Sequence, residues 1–173
     1  MGAINYDLTK IKAMVFDVDG VISSSATLLS KDGIPQRTLN VKDSFAIQLA
    51  VKNGFIVGVI SGGFSQPMYN ALTRLGVKNI YMHASDKTER MQHIMKSYDL
   101  SAEQILYMGD DMPDMKALSM VALPCCPDDA AHEVKSACRY ISEYRGGMGC
   151  VRDVIEQVLR ANDMWLKENS FVW

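Results

Sequence analysis

Four short stretches hold residues whose types and spacing suit one chemistry: D-V-D-G at 17–20, S-G at 61–62, Lys87, and G-D-D-M-P-D at 109–114. Together they suit transfer of a phosphoryl group to a carboxylate. Asp17 would attack phosphorus and form an aspartyl-phosphate. Asp19 would protonate the departing alkoxide, then deprotonate the water that hydrolyses the intermediate. Gly20 lets the backbone turn close to the phosphate. Ser61 and Gly62 would bind phosphoryl oxygens, and Lys87 would neutralise both the phosphate and the crowded carboxylates. Oxygen ligands in this number call for a hard cation, with Mg²⁺ the expected one. Asp17 and Asp110 would ligate it, and Asp111 or Asp114 would orient the ligands from behind. Each stretch alone is an ordinary turn or cap; all four, in this order at element ends, are specific.

The elements that must position these groups alternate along the chain. Apolar runs at 13–18, 55–60, 79–84, 104–109, 120–124 and 139–142 read as strands. Between them, 41–54, 65–76 and 86–100 read as helices, stopped by Gly54 and Gly76 and started by Ser65. Ser101 and Gln104 fit a capping box around a short turn, and 149–162 is an amphipathic helix. This alternation predicts an α/β fold, a Rossmann-like parallel sheet with helices on both faces. Ligands of such sheets bind beyond the carboxyl ends of the strands, where Asp17, Ser61 and Asp110 would converge. One segment breaks the pattern: residues 25–41 carry a turn signal at Asp32-Gly33 and read as a projecting β-hairpin.

Composition bounds the class. The 173 residues suit one domain spanning 1–173, and 48% apolar with 22% charged residues is the balance of a soluble globular protein. A net charge of −2 argues against a nucleic-acid surface. No apolar run approaches the ~20 residues of a membrane span, and the N-terminus lacks a signal peptide's apolar core. Cys125, Cys126, Cys138 and Cys150 form no C-x-x-C pair and read as reduced core thiols, which places the chain in the cytoplasm. The methionines at 91, 95, 108, 112 and 115 read as core filling, and the three histidines show no ligand spacing. The tail at 163–173, with Trp165 and Trp173, reads as an unstructured end or as a segment that docks on a neighbour.

With these motifs the chain resembles the haloacid dehalogenase superfamily of phosphatases. Within it, the resemblance is to the small tetrameric group without a cap domain that includes 3-deoxy-manno-octulosonate 8-phosphate phosphatase. It covers about residues 8–160 and rests on "DVDGV", "NVKDS", "SGG", Lys87, "GDDMPD" and "GGMGCVRD". It implies Asp17 as nucleophile, Asp19 as acid/base and main-chain metal ligand, and Asp110 as the second carboxylate on Mg²⁺. It also implies a homotetramer in which the hairpin of one subunit helps cover another's active site. The glycines at 146, 147 and 149 read either as a tight turn or, by the resemblance, as a loop near that site.

The chain departs from the group on the leaving-group side. Gln48, Gly63 and Ala71 stand where members commonly carry arginines that meet the substrate, and Lys42 replaces the arginine of N-V-R-D. A guanidinium grips a carboxylate bidentately and a glycine cannot. The candidate substrate residues are therefore Asn40, Lys42, Asp43, Ser44, Gln48, Gly63, Ala71 and Arg152, with Arg37, Lys42, Arg145 and Arg152 the remaining basic groups. The expected reaction is Mg²⁺-dependent hydrolysis of an eight-carbon 3-deoxyulosonate 8-phosphate made for lipopolysaccharide. The alternatives are a nine-carbon, sialic-acid-type 9-phosphate, a broad-specificity phosphatase, or a non-catalytic oligomerisation module of the same fold.

Overall fold

The computed structural model describes residues 2–165 and Lys167. Numbered in chain order, the strands are β1 (Ala13–Phe16), β2 (Leu28–Leu29), β3 (Pro35–Gln36), β4 (Ile56–Ile60), β5 (Asn79–Tyr81), β6 (Ile105–Met108), β7 (Leu123–Cys126) and β8 (Tyr140–Ile141). The helices are α1 (Val41–Lys52), α2 (Gln66–Arg74), α3 (Lys87–Ser97), α4 (Met115–Leu118), α5 (His132–Ala137) and α6 (Cys150–Ala161). Six strands form one parallel sheet in the order β5-β4-β1-β6-β7-β8. The chain starts at β1, winds outward through β4 and β5, then crosses to β6 and winds outward the other way. The strand order thus reverses between β1 and β6. Phe16 pairs with Val59 of β4 and Met108 of β6, so the three strands end nearly level.

Strand alternation splits the core into two layers. Met14, Phe16, Leu106 and Met108 face α1 and α6, while Ala13, Val15, Ile105 and Tyr107 face Met91 and Ile94 of α3 and Leu118 of α4. Every residue of β1 and β6 is buried, and burying each large apolar side chain contributes about 1.5–3 kcal/mol. Gly54 and Gly76 follow α1 and α2, and the Ser65 side chain accepts the Met68 N–H at 3.3 Å. Gln104 Oε1 accepts the Ser101 N–H at 3.0 Å around the short turn before β6.

Several boundaries differ from the sequence expectation. The fifth strand lies at Leu123–Cys126 and not at 120–124. Residues 120 and 121 are spent closing the turn after α4, through Met120 N–H to Ala117 O at 3.1 Å and Val121 N–H to Leu118 O at 3.5 Å. Helices α4 and α5 were not anticipated; with four and six residues they are too short to show a period. The hairpin is present but its ladder is short: Leu28 pairs with Gln36 and Leu29 with Pro35. Leu28 is 81% exposed, Leu29 65% and Ile34 58%. Among the expected core methionines, Met112 is exposed, since it starts the turn after Asp111. Trp165 packs edge-on against Phe45 of its own chain at 6.4 Å. Trp173 lies outside the described residues.

Candidate active site

Level strand ends place side by side the residues that leave the sheet. The Asp17 N–H donates to Met108 O at 3.0 Å, continuing the ladder one step past β1, and the next turn of chain beyond β6 carries Asp110. The crevice that opens there encloses about 320 Å³, and Asp17, Asp19, Gly62, Gly63, Lys87, Asp110, Asp111 and Asp114 all line it. Lys87, the first residue of α3, is buried with its ammonium 2.9 Å from Asp17 Oδ1 and 2.7 Å from Asp114 Oδ1. Asp114 is almost wholly buried. Its Oδ1 also accepts the Tyr107 hydroxyl, and its Oδ2 accepts the N–H groups of Asp110 at 3.1 Å and Asp111 at 3.4 Å. Asp114 therefore orients Lys87 and the Asp110 loop together.

The D-V-D-G loop closes on itself. The Val18 N–H donates to Asp17 Oδ1 at 2.7 Å, and the Gly20 N–H donates to Ser23 O at 2.9 Å. Gly20 has φ +85°, and a Cβ there would overlap the Asp110 carboxylate, so this position combines a left-handed backbone with a close approach. Gly146 is pressed against the Gly20 carbonyl. That contact settles the placement of the glycine loop at 146–149: it backs the D-V-D-G turn. Ser61 is buried. Its Oγ accepts the Gly63 N–H at 3.1 Å, which leaves its own O–H to be donated.

Asp17, Asp110 and Asp114 each offer one oxygen such that all three lie within 4.8 Å of one another. An all-carboxylate donor set suits a hard divalent cation. Both oxygens of Asp114 already serve Lys87, Tyr107 and the backbone, so Asp17 and Asp110 are the carboxylates left to ligate. Burial pushes the Asp17 carboxyl up to about 7, aided by the Asp114 charge and opposed by Lys87. Burial and then the Asp17 and Asp114 charges push Asp110 up to about 7 as well. Carboxyls raised in this way are only partly ionised at neutral pH, and a bound cation would favour the ionised form. Burial pulls the Lys87 ammonium down, but Asp17 and Asp114 outweigh it and hold it above its usual value.

Of the residues expected to meet a leaving group, only Gly63 lines the crevice within one chain. Asp43 is wholly buried: its Oδ1 accepts the Arg152 N–H at 2.7 Å, capping the start of α6 from α1. Burial pushes its carboxyl up to about 6, opposed by the Arg152 and Gly149 N–H groups. Asn40 caps α1 through Oδ1 to the Lys42 N–H at 2.9 Å and donates to Gly147 O at 3.2 Å; the Ser44 hydroxyl donates back to Asn40 O. The Arg152 guanidinium lies 4.4 Å from the Trp165 ring and pairs with Glu156 at 2.7 Å. Lys42 lines a separate cleft with Arg152, and neither Gln48 nor Ala71 reaches the crevice. Asn40, Asp43 and Ser44 thus serve the helix ends behind the site, where the start of α1 and the start of α6 need caps. Sequence reasoning missed Tyr107, whose one signal is a hydroxyl in an otherwise apolar strand. It also left Arg37 as one basic residue among several, although Arg37 grips Asp19 with two bonds, 2.7 and 2.8 Å.

A sequence profile of the haloacid dehalogenase-like hydrolases matches residues 71–152. The fold, the paired carboxylates at the strand-order reversal and this match define the class: the chain is a phosphatase similar to the cap-less group of the haloacid dehalogenase superfamily. Within that group it is similar to the 3-deoxy-D-manno-octulosonate 8-phosphate phosphatase of Yersinia pestis, 28% identical over 153 residues, 88% of this chain and 82% of that protein. The same-named enzyme of Moraxella catarrhalis, solved with a magnesium ion, a phosphate ion and a KDO molecule, matches with TM-score 0.86 and 26% identity over 91% of both chains. The cobalt-bound form of the Haemophilus influenzae phosphatase matches with TM-score 0.88 and 26% identity, over 95% of this chain and 98% of that one. No helix among the described residues is long and apolar enough to cross a membrane.

Proposed function

We propose that this phosphatase hydrolyses 3-deoxy-D-manno-octulosonate 8-phosphate to the free sugar and phosphate, with Mg²⁺ as cofactor, in the cytoplasm. The observation that carries this reading is the match along 91% of both chains to the Moraxella catarrhalis enzyme, whose structure holds a magnesium ion, a phosphate ion and KDO. An Asp17 oxygen attacks phosphorus in line with the departing C8 alkoxide, forming an aspartyl-phosphate. Asp19 gives the alkoxide its proton, then takes one from the water that attacks the phosphorus of the intermediate and releases phosphate. Lys87, the Ser61 hydroxyl and the Gly62 N–H hold the phosphoryl oxygens. Asp17, Asp110 and the Asp19 main-chain carbonyl would hold Mg²⁺, which when bound offsets the negative charge of carboxylates and phosphate. Asp111 and Asp114 orient that loop from behind. A homotetramer fits the exposed Leu28, Leu29 and Ile34 of the hairpin, which one chain leaves uncovered.

The test is a panel of sugar phosphates assayed with Mg²⁺: the eight-carbon 8-phosphate, a nine-carbon 9-phosphate and hexose 6-phosphates. The eight-carbon compound is expected to give the highest kcat/KM. A higher value for the nine-carbon compound would transfer the assignment to sialic-acid-type sugars.

A further inference from the structure

Arg37 is seated with care. It follows β3, at the point where the hairpin returns to the body of the protein. Its Nε donates to Asp19 Oδ1 at 2.7 Å, its Nη2 to Asp19 Oδ2 at 2.8 Å, and its Nη1 to Phe64 O at 2.9 Å. A side chain at position 63 would collide with Nη2, so Gly63 makes the room. The loop that supplies these acceptors is itself braced. The Phe64 ring stacks on His83 at 5.0 Å, and His83, with φ +54°, donates its N–H to Gly63 O at 3.1 Å. Lys87, the cation among the residues lining the crevice, is committed to Asp17 and Asp114.

This arrangement has a chemical cost for the reaction. The guanidinium fills the fork between the two oxygens of Asp19, the side on which a carboxylic acid carries its proton, so an Asp19 that holds a proton for the departing oxygen needs the pair to open. A guanidinium stays charged at any working pH, and parting it from its acceptor is costly unless another takes over. A carboxylate offers the same two-pronged geometry. Resting on the assignment of Asp19 as acid/base above, we infer that Arg37 is a specificity latch: a carboxylate on the leaving group takes its guanidinium from Asp19 and thereby frees Asp19 to act. Phosphomonoesters without an anionic leaving group leave the pair closed and turn over slowly. The exchange is non-covalent, one carboxylate for another on the same guanidinium. It places recognition of the leaving group on the hairpin and links it directly to the catalytic step.

The experiment compares 3-deoxy-D-manno-octulosonate 8-phosphate with its methyl ester, on the wild-type protein, Arg37→Met and Arg37→Lys. Wild type is expected to favour the acid over the ester by between about 10- and 150-fold in kcat/KM, the worth of a hydrogen bond to a charged group. Arg37→Met should bring that ratio near unity from both directions, raising KM for the acid and raising kcat for the ester. Arg37→Lys should retain part of the preference. Equal losses on both compounds in Arg37→Met would make Arg37 a merely structural residue and overturn the latch, as would a wild type indifferent to the ester. If wild type hydrolyses neither eight-carbon compound but does hydrolyse other sugar phosphates, the substrate assignment falls. The latch is then judged, with the same variants and the same two outcomes, on 6-phosphogluconate against glucose 6-phosphate.

Discussion

At the floor of the crevice, Lys87 lies between Asp17 and Asp114, and all three are buried. At its rim, Arg37 reaches Asp19 from a hairpin whose Leu28 and Leu29 are exposed to solvent. Both pairs join a cation to a carboxylate, but their supports differ. The floor is anchored by strand ends, by Tyr107 and by backbone N–H groups, so a change there leaves buried charge unpaired. The rim hangs on a ladder two residues long, which is too little sheet to be stable alone. A rigid floor suits phosphoryl chemistry common to many substrates, and an adjustable rim suits choosing among leaving groups.

The sharpest way to break this comparison is Asp17→Asn. An amide is a poor nucleophile, so phosphate release should fall about 10⁴-fold or more, and substantial residual turnover would remove Asp17 from its role. Asp110→Ala comes next: activity and Mg²⁺ affinity should fall together, by roughly 100-fold. Mg²⁺ titration followed by thermal melting checks this, and an unchanged binding curve would put the metal elsewhere. Removing the hairpin tip, residues 27–36, with a glycine bridge that keeps Arg37, should dissociate the proposed tetramer and lower kcat/KM by roughly tenfold while the melting curve stays cooperative. Light scattering and kinetics read both effects. An oligomer of unchanged size with unchanged kinetics would make the tip dispensable.

The smallest effect is a pH dependence that belongs to the floor alone. With Asp17 and Asp110 raised to about 7, the folded, metal-free protein keeps protons that the unfolded chain, with a carboxyl value of 3.8, has already lost. Between those values the folded state binds more protons, so its stability should decline as pH rises from about 4 to about 7. Mg²⁺ favours the ionised carboxylates, so its stabilising effect should grow over the same interval. Melting curves in EDTA and in Mg²⁺ across that range, repeated on Asp110→Asn, would show it. The variant should have the shallower decline in EDTA, and an equal slope would detach the pH dependence from the floor.

Much of the floor is legible in the sequence, because its signals are local. Asp17 and Asp110 each follow a short apolar run, and that pattern is visible within a window of ten residues. The short helices α4 and α5 are not legible, being too brief to show a period, and the shift of β7 follows from a turn closed by contacts that no window shows. The placing of the expected substrate residues is illegible for a different reason. Asp43 and Arg152 are polar residues in a motif shared with phosphatases, and a motif does not reveal whether a side chain faces a ligand or caps a helix. Asp43 sits 109 residues from the Arg152 N–H it accepts.

By itself, then, the sequence determined that strands and helices alternate, that carboxylates end the strands, and that a lysine and a cation must balance them. Periodicity and turn chemistry act over a few residues, and those features need nothing more. The tertiary structure decided that β1, β4 and β6 end level, so that the two carboxylates meet at the reversal of strand order. It also decided that Tyr107 and Asp114 brace Lys87, and that Arg37 rather than Arg152 stands at the crevice. Each of those outcomes depends on packing between segments far apart in the chain, where side-chain type sets what a contact is worth and only the fold sets which contact is made.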